Sequence, residues 1–490
     1  MKNRLGVYTE RLNAVTRRHF LRQCQVGLGG MALVALSGDR PSAAASVSGN
    51  PGPLAPKEPH FAAKAKRVIY LHMAGSPSQL DLFDYKPELV KRNNQLCPEA
   101  LLKNERFAFI KGHPKLLGTP HAFTRRGQSG QWICELLPQL GQVVDDLTIV
   151  RSMTTDQFNH APAQLLLHTG FPRLGWPSLG AWATYGLGTE NEDLPGFVVL
   201  VSGGKQPSAG KSVWGAGFLP GVYQGVQCRS VGDPILFVND PPGMNREVRR
   251  RSLDALADLN RMQADEFGSP ETLTRIEQFE LAFRMQMSVP GVMDITRESK
   301  ETLAAYGAAP GQPLFANNCL LARRLVEQGV RFVQLFDWGW DTHGTAKQDD
   351  LLNSFPQKCK DVDRPIAALV GDLKQRGLLD ETLIVWGGEF GRTSMNEERN
   401  GSKFLGRDHH PHAFTMFFAG GGMRPGVVHG ATDELGYFPV EDKMTIRDLQ
   451  ATILHLLGFD PHRFSYRHQG LDARLIGPTG EGQVRQAILA

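Results

Sequence analysis

Six short runs rich in β-branched and aromatic residues punctuate the chain, at 68–71 (VIYL), 147–150 (LTIV), 197–200 (FVVL), 332–336 (FVQLF), 383–386 (LIVW) and 414–418 (FTMFF). Nearly every position in them is apolar, without the alternation of a half-exposed strand, and that pattern belongs to strands covered on both faces. Between them lie stretches with helical spacing, such as 317–328 and 362–377. Strands separated by helices predict an α/β fold with a mostly parallel central sheet and helices on both faces. The segment 244–316 is polar, helical in pattern and poor in strand signals. It predicts a helical insertion or cap beside the sheet.

The N-terminus follows a different pattern. Residues 16–22 read Thr16-Arg17-Arg18-His19-Phe20-Leu21-Arg22, and the apolar run 26–36 follows. The first is similar to the twin-arginine export signal, and the second has the length of a signal core and not of a membrane span. Small residues at Ala43-Ala44-Ala45 offer a cleavage point. The expectation is a signal peptide over 1–45, a disordered tether over 46–63 and a folded domain over 64–490. Location would then be periplasmic or extracellular. No later run reaches the length of a transmembrane helix, so none is expected in the mature chain.

Composition narrows the partners. A formal net charge of +4 over 490 residues argues against a nucleic-acid binder that relies on a strong positive field. The six cysteines form no CxxC pair, and without Cys24 five remain, an odd number that suggests no disulfide framework. Neither a Gly-x-Gly-x-x-Gly turn after a strand nor a haem motif is present, which disfavours a redox enzyme.

In doubly covered α/β sheets, chemistry gathers at the carboxyl ends of the strands. After 332–336 comes Asp337-Trp338-Gly339-Trp340-Asp341-Thr342-His343-Gly344, where Asp341 and His343 can converge on one cation. After 383–386 comes Gly387-Gly388-Glu389-Phe390-Gly391-Arg392-Thr393; Glu389 could ligate a metal and Arg392 could pair with an oxyanion. Before 414–418 stands Asp408-His409-His410-Pro411-His412, with His409 and His410 as candidate ligands. The first strand runs into a turn-rich span holding His72, Ser76, Ser78 and Asp81, of which Asp81 is the better ligand candidate, with turn capping as the alternative. Mixed Asp and His ligands favour zinc or manganese, with calcium or magnesium as the alternatives.

In their order these clusters resemble the alkaline phosphatase and sulfatase superfamily. Residues 380–391 (DETLIVWGGEFG) resemble the sulfatase stretch DTLVVFTSDNG, with Glu389 in the place of the metal-binding aspartate. Residues 445–458 (TIRDLQATILHLLG) resemble the C-terminal DLxPTLLDLAG helix. More closely, the chain resembles the sulfatase-like family catalogued as domain of unknown function 1501. The landmarks are the twin-arginine leader, GSPSQLDLFDYKP (75–87), WDTHG (340–344), GGEFGRT (387–393), RDHHPHAF (407–414) and AGGGMRPGVVHGATDELG (419–436). The resemblance implies an alkaline phosphatase/sulfatase-like fold and a divalent-metal site.

The departures concern the nucleophile. The position that is Cys or Ser in sulfatases is His160, followed by Ala163 and Gln164 where Ser and Arg stand there. The paired aspartates expected after the first strand are absent, with Met73-Ala74 about where they belong. An imidazole cannot supply a formylglycine diol. His160 could instead ligate the metal, with water of lowered pKa as nucleophile, or accept a phosphoryl group. Thr154, Thr155 and Ser152 are nearby hydroxyls. The expectation is an exported metal-dependent hydrolase of a phosphate or sulfate ester, on a small-molecule or polysaccharide substrate. His160 and Arg392 are its catalytic candidates, and Arg151 is an alternative cation for the ester. The alternative is a non-catalytic relative that binds a polysaccharide or partner protein. Substrate and oligomeric state have no signal in the sequence.

Overall fold

The computed structural model describes residues 52–103, 105–235, 244–267 and 270–490. The expected signal peptide and residues 46–51 of the expected tether lie outside the described residues.

Each of the six apolar runs forms a strand. The central sheet has nine strands among the described residues: β1 Arg67–Ala74, β2 Leu147–Thr154, β3 Phe197–Ser202, β4 Val226–Cys228, β5 Phe332–Trp338, β6 Thr382–Gly387, β7 Phe414–Ala419, β8 Val427–His429 and β9 Met444–Thr445. Their order is β8-β2-β7-β6-β1-β5-β3-β4, with β9 also paired to β2. Only β7 runs against its neighbours, antiparallel to both β2 and β6. The other pairings are parallel.

The main helices are α1 His160–Thr169, α2 Leu179–Leu187, α3 Arg246–Phe267, α4 Pro270–Met293, α5 Lys300–Tyr306, α6 Phe315–Glu327, α7 Ser354–Gln375 and α8 Ile446–Leu456. Successive strand residues point to opposite faces, so β1 feeds two cores. Ile69, Leu71 and Met73 pack in one with α6 and α7. Val68 and Tyr70 pack in the other with α1, α2 and α8. The central strands are buried on both sides because both faces carry helices. Truncating a fully buried residue such as Leu71 to alanine should cost about 2–5 kcal/mol.

Two expectations about organisation need correction. Residues 52–61 are not a loose tether: Thr189 donates to the Leu54 carbonyl (2.9 Å), Lys57 to that of Leu187 (3.0 Å) and Phe61 to that of Gly458 (3.1 Å). Nor is 244–316 one cap. Helix α3 falls in a different compact unit from α4 and α5, which belong to the unit that holds the sheet. Leu281, Met285, Val289 and Met293 on α4 recur every fourth residue, a stripe that packs into the α6 and α7 core.

The topology also explains where chemistry can gather. Parallel β1, β2, β5 and β6 end at one edge, and antiparallel β7 begins there, with Phe414 opposite Met153 near the end of β2. Segments far apart in sequence thus share that edge: 158–160 after β2, 341–343 after β5, 389–392 after β6 and 409 just before β7.

Candidate metal centre

The turn after β1 is the base of the site. Gly75 adopts φ +103°, and a Cβ there would lie 2.7 Å from the Asp341 backbone nitrogen, so only glycine lets the two turns pack this closely. Ser76 follows at φ 63°. Its hydroxyl accepts from the Glu389 and Phe390 amides, both at 3.2 Å, which ties the turns after β1 and β6 together.

Around the Asp341 carboxylate three imidazoles converge. Asp341 Oδ1 lies 2.8 Å from His343 Nε2, 3.2 Å from His160 Nε2 and 3.4 Å from His409 Nε2. Each ring is also gripped at its other nitrogen. His160 Nδ1 lies 2.7 Å from Glu389 Oε1, His409 Nδ1 lies 2.7 Å from the Phe158 carbonyl, and His343 Nδ1 meets Glu397 Oε2. An acceptor at Nδ1 places the ring proton there and turns the Nε2 lone pair inward.

Three inward lone pairs beside a carboxylate oxygen repel unless something positive lies between. Protons can fill that role. Burial alone would lower the His160 pKa, but hydrogen bonds to Asp341 and Glu389 outweigh it and push it up to about 9. His343 is raised by Asp341 and Glu397 against the same burial. For His409, burial with the nearby Arg392 and His160 charges prevails over Asp341 and lowers it to about 4. The Asp341 carboxyl itself is held far below the usual range, because Arg392 and the three histidines overcome its desolvation.

A metal ion can fill the same role. Tetrahedral zinc at its usual bond lengths separates neighbouring ligand atoms by about 3.3 Å. Asp341 Oδ1 sits 2.8–3.4 Å from the three nitrogens, close to that spacing, and imidazole and carboxylate donors suit a zinc-like cation. His160 Nε2 is also buried without a well-directed hydrogen bond. Donor atoms of His160, Asp341 and His409 lie within 4.8 Å of one another, as do those of a second group, His343, Glu397 and Asp408. In that second group Asp408 is already satisfied by the Phe109, Ile110 and His409 amides at 2.7, 2.9 and 2.8 Å.

Glu389 is fully buried and sits behind the His160 ring, away from Asp341. Its Oε1 also accepts from Gln164 Nε2 (2.9 Å) and the Gly75 amide (3.3 Å), and Oε2 faces His72 Nε2 at 3.3 Å. Arg392 is equally buried. Its guanidinium meets Asp341 Oδ1 at 2.5 Å and the carbonyls of Gly75, Ser76 and Arg407, so it is enclosed by protein groups.

Of the residues nominated from sequence, His160, Asp341, His343, His409, Glu389 and Arg392 meet at this edge, and Asp81, His410 and Arg151 do not. Asp81 is paired with Arg407, at 2.7 Å (Nε to Oδ2) and 3.2 Å (Nη2 to Oδ1), with both side chains fully buried. His410 alternates with His409 on a two-residue strand paired to Gly391–Arg392, so its ring points the other way. It contacts the Tyr437 carbonyl at 2.7 Å, and burial pushes its pKa down to about 3. Arg151 lies elsewhere, half-buried and within reach of the Asp84 charge. Sequence reasoning missed Glu397, Gln164 and the Phe158 carbonyl. Gln164, noted in sequence only as standing where sulfatases carry Arg, lies one helical turn beyond His160 on α1, and that i, i+4 spacing puts both on one face.

A family model described as a protein of unknown function (DUF1501) matches residues 65–489. The chain belongs to this family. The DUF1501 chain is also similar to several solved structures at low identity. One is the lipoteichoic acid synthase LtaP from Listeria monocytogenes, with 11% identity, 86% of this chain and 77% of that one covered, and a TM-score of 0.36. A second is the PsFucS1 sulfatase from Pseudoalteromonas sp., with 12% identity, coverages of 81% and 68%, and a TM-score of 0.34. A third is the C-terminal periplasmic domain of EcEptC from Escherichia coli in complex with zinc, with 11% identity, coverages of 89% and 96%, and a TM-score of 0.34. A comparison with curated protein sequences gave no match for the DUF1501 chain. No helix among its described residues is long and apolar enough to cross a membrane.

Proposed function

We propose that this protein is a metal-dependent hydrolase of a phosphate or sulfate ester that works outside the cytoplasm. One observation carries the reading: three imidazoles, each locked at Nδ1 by an acceptor, direct Nε2 at the same carboxylate oxygen. His160, His343, His409 and Asp341 would hold the cation, and this donor set favours zinc or manganese. When bound, a divalent cation supplies Lewis acidity toward an ester oxygen and lowers the pKa of water.

The remaining roles belong to the chain itself. Glu389, Glu397 and the Phe158 carbonyl set the tautomer and tilt of the three rings. Arg392 holds Asp341 and pins the turn after β1, so it is a positioning residue and not the ester's counter-charge. His160 brings a ring nitrogen where a sulfatase has its nucleophile, which favours water over a covalent route. Export rests on Thr16-Arg17-Arg18-His19-Phe20-Leu21; replacing both arginines by lysine should keep the protein in the cytoplasmic fraction.

The test is elemental analysis of the exported protein, then turnover of p-nitrophenyl phosphate and p-nitrophenyl sulfate by wild type and His343→Ala. Stoichiometric zinc or manganese with turnover, both lost in the variant, supports the hydrolase. Absence of metal from wild type ends the reading. A second reading, a metal-bearing protein that binds an extracytoplasmic polysaccharide or partner without catalysis, draws on one observation: the Arg392 guanidinium is already committed to the fold. Stoichiometric metal without turnover on a broad ester panel would favour it.

A further inference from the structure

Two cations rest on aromatic rings beside the centre. Phe109, 39% exposed, sets its ring edge-on against His343 (4.9 Å) and His409 (5.6 Å), and the Arg399 guanidinium lies 3.6 Å over it. On a different ligand, the Trp338 ring lies 6.0 Å from that of His160, with Lys205 Nζ 5.7 Å above it. Both spacings are those of cation–π contacts.

Each pair is built in by the backbone. Arg399 stands between Glu398 and Asn400, two non-glycine residues at φ 48° and 55°. Its Nε is held by Glu397 Oε1, and the other oxygen of that carboxylate grips His343. Two residues before Lys205, Gly203 sits at φ +79°, where a Cβ would lie 2.4 Å from the Trp338 carbonyl oxygen; only glycine lets this turn sit on the strand end.

Arg399 is left incomplete. Its Nη2 is buried and has no hydrogen-bond partner. The side chain as a whole keeps 28% of its surface, so its charge is not sealed in the fold as that of Arg392 is. Arg392 has no such vacancy. The open guanidinium therefore lies one carboxylate and one imidazole away from the converging Nε2 atoms, too far to serve the reacting ester and well placed for a neighbouring negative group.

Resting on the metal-centre reading, we propose that the substrate is an anionic polysaccharide. Its reacting ester would lie at the centre, with negative groups on flanking sugars received by Arg399 and Lys205. Single-stranded nucleic acid fits less well. It binds through bases stacked on open aromatic faces, and here a cation already covers one face of each ring.

The experiment compares dissociation constants for a sulfated hexasaccharide, inorganic sulfate and a six-nucleotide single-stranded DNA. Wild type, Arg399→Ala, Arg399→Lys and Lys205→Ala are measured, with thermal unfolding as the check on folding and zinc content recorded separately. Wild type should bind the hexasaccharide at least tenfold more tightly than inorganic sulfate. Arg399→Ala should lose about tenfold for the hexasaccharide, with Arg399→Lys between, because a charge-assisted hydrogen bond disappears. Exposed Lys205→Ala should lose about two- to fivefold. Unchanged hexasaccharide affinity in both alanine variants would overturn the proposal, as would DNA binding as tight as hexasaccharide binding. Wild type that holds no zinc would end the reading of the centre, while the hexasaccharide series would still decide this one.

Discussion

Asp81 and Asp341 both follow strands of the central sheet and both face an arginine, yet only the first pair is closed. Asp81 receives Arg407 through two nitrogens and the Ser78 hydroxyl at 2.5 Å, and the rest of the guanidinium is used by the Leu117 and Thr393 carbonyls. One negative charge meets one positive charge, both out of water. Asp341 keeps 28% of its side-chain surface and faces Arg392 together with three imidazoles. Around it, His160 Nε2, Glu389 Oε2 and both ring nitrogens of His72 lack directed partners. A structural ion pair balances itself. A site built to receive something holds surplus donors that only a further cation, proton or ligand can complete.

Neutralising each aspartate should separate the two regions most sharply. Asp81→Asn strips the counter-charge from a guanidinium with no exposure, which should cost about 3–5 kcal/mol of folding free energy. Asp341→Asn also takes the carboxylate from buried Arg392, but Asp341 keeps 28% of its surface and His160 and His343 can release protons as the negative charge leaves, so it should cost less, about 1–3 kcal/mol. Its loss should instead appear as metal content falling to background. Denaturant unfolding and elemental analysis of the two variants check this. Equal destabilisation, or metal retained by Asp341→Asn, would erase the distinction.

A smaller effect is expected one step behind the ligands. Glu397→Gln keeps an acceptor for His343 Nδ1 but removes the charge that polarises the ring. Metal affinity should fall about 10- to 100-fold, while thermal stability changes little. Isothermal titration of zinc into the metal-free variant measures it. A wild-type affinity would mean that the His343–Glu397 contact serves only to hold the loop.

The sheet was legible in the chain because its signal is local. Each doubly covered strand, from Val68 in β1 to Phe418 in β7, carries its own apolar run, and the rule about carboxyl ends then singled out Asp341, His343, Glu389 and Arg392. Direction and distance were not legible. Nothing at position 410 separates His410 from His409; the difference is one residue of strand alternation, which points one ring at Asp341 and the other at Tyr437. Asp81 looked like a ligand because its partner, Arg407, lies 326 residues away. Glu397 was passed over because it sits in an irregular loop, where no periodicity marks a residue that reaches back to a histidine. Short β4, β8 and β9 went unseen because strands of two or three residues leave no pattern.

Acid offers the finest probe of the closed pair. Burial would raise the Asp81 pKa, but the Arg407 charge, with hydrogen bonds from Arg407, Ser78 and Thr119, outweighs it and holds the carboxyl below its ordinary value. A carboxylate depressed in the folded state contributes stability that is fully present above its unfolded pKa of about 3.9 and is lost as pH falls through the folded value. As the unfolded chain takes up a proton that the folded protein resists, wild type should surrender on the order of 1 kcal/mol of this contribution between neutral pH and pH 3. Asp81→Asn has no such proton to bind, so the stability gap between the two should narrow by that amount over the same range, while mutation-independent acid effects cancel in the difference. Urea unfolding of both proteins at a series of pH values gives the gap directly. A constant gap would place the Asp81 carboxyl at an ordinary pKa and leave the pair without the electrostatic closure that separates it from Asp341.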